Sequence, residues 1–263
     1  MNDEKLILSY IDKFLDDPEI KKALNSNDFS YIYRRLQASV NFNNFEIISY
    51  FTKLILSTGF KPLMNLNYIP DYYMFKNKDI ETFTVPENIV QIGSSAFCYC
   101  SKLEHVTLHS GLKSLGFWAF QGCHIRNIKF PKHLNIIEYG AFANCIYLES
   151  IDVPGSVNKI MNNSFNNCVS LTKAVFNEGT EFMNCNALAH CSSLKEVYLP
   201  KSLKNITLSA FYDSINLHDI YYAGTSEDFK QIDYGQDYGI NSSDMKIKWK
   251  GITIHCTDKD INL

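Results

Sequence analysis

The chain has 263 residues, of which 46% are hydrophobic and 14% aromatic, so it can build a core and does not resemble a disordered chain. A formal net charge of −3 provides no basic stripe for nucleic acid, and we expect no nucleic-acid partner. No run approaches the roughly 18 uninterrupted apolar residues of a membrane-spanning helix, so we expect no membrane insertion.

Residues 1–66 predict a small all-helical N-terminal domain. Its first helix carries an apolar stripe at three- and four-residue steps, formed by Leu6, Ile7, Tyr10, Ile11, Phe14 and Leu15. A second helix is expected to start at Asp17 and Pro18, because Asp caps helices and Pro is tolerated in the first turn. Apolar stripes within 32–40 and 47–55 predict two more helices. We expect the apolar faces to pack on each other, on the first repeat or on a partner.

After this region, one large apolar residue recurs at steps of 22 or 23 residues. These ladder positions are Phe75, Phe97, Phe120, Phe142, Phe165, Leu188 and Phe211. A fixed period of this size is typical of a solenoid built from leucine-rich-type units.

Other positions repeat with the same period. Three residues after the aromatic, from the second unit onwards, stand Cys100, Cys123, Cys145, Cys168, Cys191 and Ser214. A ladder of strand residues follows, made of Phe83, Val106, Ile128, Ile151, Ala174, Val197 and Ile220. Polar residues flank each of these strand positions, which predicts a half-buried strand in every unit. Parallel stacking of the strands is expected to give a concave sheet, with the aromatic and cysteine segment forming the convex return.

The unit from Ala141 to Ile160 reads A-F-x-x-C-x-x-L-x-x-I-x-V-P-x-x-V-x-x-I. Repeated in tandem over about residues 69–224, it closely resembles the BspA-like (treponemal-type) leucine-rich repeat family. The resemblance implies a binding surface for proteins or cell surfaces and does not imply an enzyme.

Several units depart from this pattern. The units at Phe75 and Phe120 are one residue short, Leu188 replaces the aromatic, and Asn177 stands where proline is expected. These departures affect local curvature only. The predicted fold is therefore an α/β solenoid, a leucine-rich repeat arc of about seven units over residues 67–224.

A solenoid needs a cap over its last unit, and residues 225–263 are expected to supply it. The segment 225–232 reads as a short capped helix. Segments 246–249 and 252–255 alternate apolar and polar residues, which predicts a hairpin that turns at Lys250-Gly251.

No catalytic motif interrupts the repeats, and the seven histidines are dispersed. We therefore predict a protein that is not an enzyme and needs no cofactor. The two cysteines of Cys98-Tyr99-Cys100 stand close together in the sequence, as the cysteine ligands of metal sites often do. However, Cys100 belongs to the cysteine ladder and no histidine pair lies at ligand spacing, so no metal site is expected.

The cysteine ladder also bears on the cellular compartment. Five cysteines stacked inside a solenoid behave as small hydrophobes, and we expect reduced thiols rather than disulfides. The segment Met1–Ser9 has no basic region typical of a secretory leader. We predict a cytoplasmic protein, with a cell-surface location as the alternative if a leader is missing.

Recognition is then expected on the exposed side of the strands, where residues flanking each inward position point outward. Charged residues fall in the middle units and aromatic residues in the last ones. The candidate partner-binding residues are His105, Lys129, Asp152, Lys173, Glu196, Tyr198 and Tyr221. Tyrosine is favoured because it buries a large area at low entropic cost.

Three functions fit this surface. The first is a protein-binding scaffold whose protein partner docks on the arc. The second is a mobile-element or phage-type inhibitor of a host or defence complex, with the helical domain as effector. The third is a cell-surface adhesin.

Overall fold

The computed structural model describes residues 16–25, 67–69, 71, 79–235 and 249–262. Most of the predicted N-terminal domain lies outside the described residues, as do the first ladder position, Phe75, and the segment 246–248. The boundaries proposed for three domains stay predictions.

One helix is described in the N-terminal region, α1 (Pro18–Asn25). The side chain of Asp17 caps it by accepting hydrogen bonds from the backbone N–H groups of Glu19 (2.8 Å) and Ile20 (3.4 Å). The start predicted for the second helix is therefore confirmed. The other three helices fall outside the described residues, so an all-helical domain stays a prediction.

The strands of the described residues are short and spaced by one repeat. In chain order they are β1 (Tyr68–Ile69), β2 (Thr82–Thr84), β3 (Gln91–Ile92), β4 (His105–Thr107), β5 (Ser114–Leu115), β6 (Ile136–Ile137), β7 (Ser150–Val153), β8 (Lys159–Ile160), β9 (Lys173–Phe176), β10 (Phe182–Met183), β11 (Glu196–Leu199), β12 (Asn205–Ile206), β13 (Asp219–Tyr222), β14 (Thr253–His255) and β15 (Asp260–Asn262).

Two series of parallel strands wind along the solenoid. The longer strands form a sheet in the order β15-β14-β13-β11-β9-β7. Strands β2 and β4 form a separate pair, and they occupy the same position in their repeats as β7, β9, β11 and β13. The two-residue strands form the sheets β1-β3-β5-β6 and β12-β10-β8. In β9, exposed Lys173 alternates with buried Ala174 and Phe176, because successive side chains of a strand point to opposite faces. The inward residues of both series meet in one continuous apolar core.

The return segments are turns rather than helices. Around the ladder positions from 97 to 188, the residues two before and two after each have left-handed backbone angles, and around Phe211 only the residue two after it does, with φ between 52° and 69°. These residues are Ser95, Tyr99, Trp118, Gly122, Gly140, Asn144, Asn163, Asn167, Asn186, His190 and Asp213. A left-handed residue every four positions interrupts the right-handed angles that a helix requires. The α/β description is therefore wrong for the described repeats, which form a mainly β solenoid with little helix.

Hydrogen bonds between neighbouring returns hold the units in register. Phe97 donates its backbone N–H to Ala119 (2.8 Å), Phe120 donates to Ala141 (2.8 Å), and Phe142 repeats the contact with Ser164 (2.8 Å). The rings then stack. The centroid of Phe142 lies 5.4 Å from that of Phe120 and 5.5 Å from that of Phe165, with interplanar angles of 16° and 7°. This confirms the predicted stacking of Phe142 between its two neighbours.

The cysteine ladder is buried, as predicted, and none of its members forms a disulfide. Four of the ladder thiols, those of Cys123, Cys145, Cys168 and Cys191, repeat one arrangement, in which Sγ donates to the carbonyl of a ladder position in the preceding unit. Cys123 reaches Phe97 at 3.0 Å and Cys145 reaches Phe120 at 3.1 Å. Ser214 continues the series with its hydroxyl, which donates to Leu188 at 2.7 Å. Burial raises the pKa of the Cys145 thiol to about 12.

Two departures from the repeat pattern have local effects. The short unit at Phe120 has no full strand, and Asn127 forms only a single bridge to Ser150. The residue in place of proline, Asn177, donates its backbone N–H to Val153 (3.1 Å). Proline has no N–H and could not make this bond, so asparagine extends the pairing of β9.

The last units are closed by α2 (Ser226–Lys230) and by the indole ring of Trp249. The side chain of Thr225 caps α2 by accepting a hydrogen bond from the backbone N–H of Asp228. The ring centroid of Trp249 lies 5.3 Å from that of Phe211, the last ladder position. The predicted hairpin is wrong, because β14 pairs in parallel with β13 and in antiparallel with β15. Its apolar residue Ile254 completes the core column and draws the strand into the solenoid sheet.

Candidate functional site

The exposed side of β7, β9, β11, β13 and β14 carries two outward columns of side chains, which we call the arc face. One column holds Ser150, Lys173, Glu196, Asp219 and Thr253, and the other holds Asp152, Val175, Tyr198, Tyr221 and His255. Register places members of one column directly opposite each other on neighbouring strands, where side chains touch.

Three rings of the second column form an aromatic stack. The ring centroids of Tyr198 and Tyr221 are 4.6 Å apart at 14°, and those of Tyr221 and His255 are 4.7 Å apart at 20°. The Nζ atom of Lys173 lies 4.3 Å from the centroid of Tyr198, which makes a cation–π contact at the start of the stack. The stack therefore spans three neighbouring strands, β11, β13 and β14, with Lys173 of β9 at its start.

Carboxylates run beside the aromatic stack. Glu196 lies 3.8 Å from the Nζ atom of Lys173 and accepts a hydrogen bond of 3.2 Å from the Tyr198 hydroxyl. Asp219 contacts His255 Nε2 through one oxygen (2.8 Å) and His218 Nδ1 through the other (2.6 Å). These contacts fix the carboxylates and leave the face with more acidic than lysine side chains.

Both ring nitrogens of His255 face carboxylates, since Nδ1 lies 3.1 Å from an oxygen of Asp260. A neutral imidazole has one N–H and can donate to only one of them, so the arrangement favours the protonated ring. The hydrogen bond with Asp219 is the main cause that raises the pKa of His255 above 6.5. The same bond lowers the pKa of Asp219 below 3.8.

A groove of about 400 Å³ follows the strand ends next to the aromatic stack. We call it the strand-end groove. Three consecutive positions from each of β9, β11, β13 and β14 and the residues after them line it. They are Phe176, Asn177, Glu178, Tyr198, Leu199, Pro200, Tyr221, Tyr222, Ala223, His255, Cys256 and Thr257. Its lining is mostly apolar, with Glu178 as its one aspartate or glutamate.

Comparison with known proteins identifies the family. The sequence profile described as "BspA type Leucine rich repeat region (6 copies)" matches residues 67–185 and 119–236, which together exceed half of the chain. The chain belongs to the BspA-type leucine-rich repeat family. Six ladder positions of this BspA-type chain, from 97 to 211, lie within the described residues.

Several solved structures are similar to this chain. A leucine-rich repeat protein of T. pallidum is 28% identical with a TM-score of 0.54, over 58% of this chain and 72% of that protein. The pneumococcal vaccine antigen PcpA is 22% identical with a TM-score of 0.48, over 60% of this chain and 39% of that protein. A leucine-rich repeat protein of Eubacterium ventriosum is 24% identical, also with a TM-score of 0.48, over 60% of this chain and 44% of that protein. Among curated proteins none matches.

The predicted site residues of this BspA-type chain fall into two groups. Lys173, Glu196, Tyr198 and Tyr221 come together in and beside the aromatic stack. The remaining three do not join them. His105 is exposed on β4, and Lys129 is exposed outside any strand because its unit is one residue short. The carboxylate of Asp152 accepts a 2.7 Å hydrogen bond from the Asn177 amide. Binding by any of the seven stays a prediction.

Sequence reasoning missed His255 of the arc face and its partner Asp260, which lies beside it on β15. The signal was present, because Thr253-Ile254-His255 repeats the pattern of Asp219-Ile220-Tyr221 on the preceding strand. Assigning these residues to a separate hairpin concealed their place in the columns.

Across the described residues, no group of three or more His, Cys, Asp or Glu side chains could hold a metal ion. None of the helices in the described part of the chain is long and apolar enough to cross a membrane.

Proposed function

We propose that this chain is a non-catalytic scaffold that recognises a protein partner through the arc face. The observation that carries the proposal is the aromatic stack of Tyr198, Tyr221 and His255. Its rings lie on the outward side of the sheet, away from the continuous core, so folding alone does not require them. Tyrosine-rich clusters that are half-buried before binding are typical of interaction hot spots.

The dimensions of the site favour a protein over a small molecule. Four parallel strands at about 4.8 Å spacing give a row about 14 Å long. Side chains of the flanking column extend the surface sideways, and solenoids characteristically bind partners over such extended faces. The fixed carboxylates at the edge of the stack supply the polar contacts that set orientation.

For the cellular location, we propose the cytoplasm. The buried thiol ladder supports a reducing compartment, because disulfide-forming compartments favour paired cysteines. Fractionation of the native source with an antibody to the chain tests this location. Recovery in the culture medium or on the cell surface would favour the adhesin function instead.

A capture experiment tests the proposed function. The full chain, tagged, is incubated with native lysate, and bound proteins are identified by mass spectrometry. The variant Lys173→Glu with Tyr198→Ala should weaken partner binding by about 2 kcal/mol, or roughly 30-fold in Kd. A control pair, Lys159→Glu with Tyr212→Ala, makes the same chemical changes at exposed positions away from the arc face and should bind normally.

Other outcomes point elsewhere. Full affinity of a folded Lys173→Glu, Tyr198→Ala variant would contradict the arc face as the binding site. Loss of binding on deletion of residues 1–66, with the double variant unaffected, would support the inhibitor function with the N-terminal region as effector. Capture of matrix or cell-surface material in place of one stoichiometric protein would support the adhesin.

A further inference from the structure

The shape of the strand-end groove follows from the side chains of two neighbouring positions. The rings of Tyr198, Tyr221 and His255 form one wall. Just beyond the strand ends, the groove is lined by buried Pro200 and by the exposed, small side chains of Ala223 and Thr257. Large rings beside small side chains leave a trough that crosses the strands. Its length, about 14 Å for four strands, matches about four residues of an extended peptide.

The faces of the rings are already occupied. Lys173 covers the outer face of Tyr198, the three rings cover each other, and Asp260 contacts the far side of the stack through His255. A planar ligand therefore cannot insert between them. The groove presents ring edges, which carry partial positive charge and accept aliphatic groups rather than a bare cation.

An acidic group lies at the opposite side of the groove. Glu178 is held in place by accepting backbone N–H bonds from Lys201 (2.6 Å) and Ser202 (3.1 Å). Each carboxylate oxygen keeps one lone pair for a further donor. Lys201, whose backbone N–H binds Glu178, directs its own Nζ atom to Asp228 (3.2 Å), and no described lysine or arginine pairs with Glu178.

The raised pKa values of two tyrosines that line the groove indicate that its electrostatic potential is negative. Burial raises the pKa of Tyr222, and the negative charges of Asp228 and Glu178 add to the shift. Burial likewise raises the pKa of Tyr221, with further contributions from Asp219 and Glu196. Both hydroxyls lie in a negative potential, which attracts cations.

Building on the proposed function, we propose that the strand-end groove binds an extended partner segment through one arginine or lysine side chain. Its methylene groups lie against Ala223, Thr257 and the ring edges, and its cation reaches Glu178. Long basic side chains suit such a site because they bury an apolar stem and keep a charged end. Arginine fits best, since its guanidinium can donate to both oxygens of one carboxylate.

The test uses three fluorescein-labelled peptides that differ at one position. They are acetyl-Ala-Leu-Xaa-Leu-Ala-amide with arginine, citrulline or glutamate at Xaa, and binding to the full chain is followed by fluorescence anisotropy and NMR. Citrulline keeps the shape of arginine without its charge. We expect the arginine peptide to bind about tenfold or more tightly than the citrulline peptide, as for a charged hydrogen bond.

Variants identify the contact. Glu178→Gln should reduce arginine-peptide affinity about tenfold and leave citrulline-peptide affinity unchanged. Glu181→Gln removes an acid of the same unit that pairs with Lys204 outside the groove, and should change neither. Because Glu178 also holds two backbone groups, a second variant, Ala223→Phe, fills the trough at an exposed position and should abolish binding.

Equal affinity for the three peptides, tighter binding of the glutamate peptide, or no binding of any peptide at about millimolar concentration would each overturn the proposal. The proposed function fails separately. If Lys173→Glu with Tyr198→Ala still abolishes capture of the native partner, the arc face binds a partner, and only the basic side chain in the groove is refuted.

Discussion

Replacement of Phe142 by alanine should be the most destabilising change in the aromatic ladder. The side chain is fully buried and stacked on both faces, and Phe130 meets its edge with centroids 5.6 Å apart. Burying about 200 Å² of a phenylalanine side chain at about 25 cal/mol per Å² is worth about 5 kcal/mol. Phe→Ala changes in cores cost about 3–5 kcal/mol. We expect about 4 kcal/mol, because rigid rings on both sides limit collapse of the cavity.

Urea unfolding followed by circular dichroism measures the loss in free energy of unfolding. Two control variants set the scale for this loss. Phe142→Leu should cost about 1–2 kcal/mol, since Leu188 already fills the same ladder position without exposure. Ile215→Ala, at a side chain that is 74% exposed, should stay within about 0.5 kcal/mol.

The position of the defect should also change the shape of the transition. Units in a solenoid interact mainly with their neighbours, so a weakened interface in the middle should separate the array into two unfolding units. A Phe142→Ala protein that unfolds within about 1 kcal/mol of wild type would refute the stacked ladder as the source of stability.

Two further outcomes follow from the cysteine ladder and from His255. Burial and the raised pKa of Cys145 should keep the ladder thiols unreactive to alkylation until the chain unfolds, with reductant leaving Tm unchanged; rapid native labelling would contradict this. The raised pKa of His255 gives stability that is present below pH 6.5 and lost as pH rises through the folded value. The lowered pKa of Asp219 gives stability that is present above pH 3.8 and lost as pH falls through its folded value. The Tm difference between wild type and His255→Gln should therefore be larger at about pH 5.5 than at about pH 8.5, and an equal difference would exclude the charged pair.

The strand register could be predicted from the sequence because the repeat period is nearly constant. A step of 23 residues places Val197 beside Ala174 and Ile220, and the structure pairs them in this way. The returns could not be predicted by the same argument. The path of the returns depends on left-handed residues such as Asn163 and Asn167, which stand two residues before and after a ladder position. In the sequence these positions are marked only by the type of residue that tolerates a left-handed backbone, and not by a period of apolar residues.

The site was predicted in part for a similar reason. Tyr198 and Tyr221 share a column because their spacing is one repeat. His255 lies 34 residues beyond Tyr221, so the 23-residue period does not place it, and its sequence signal is limited to the short alternating pattern that β14 shares with β13. Contacts between charged or polar side chains, such as that of His255 with Asp219, do not repeat with a fixed period and cannot be predicted from the spacing of residues in the sequence.

The closing position of Trp249 bears on how such a chain can change in length. The units at Phe97, Phe120, Phe142 and Phe165 offer one another the same ring, thiol and carbonyl contacts, so duplication or loss of a whole unit among them leaves the interfaces compatible. Each added unit also lengthens both columns of the arc face by one residue. The indole differs, because its ring nitrogen donates to the carbonyl of Leu208 (3.2 Å) and ends the ladder. Evolution can therefore adjust the reach of the surface by inserting units ahead of the last one, while the tryptophan stays in place as a fixed terminus.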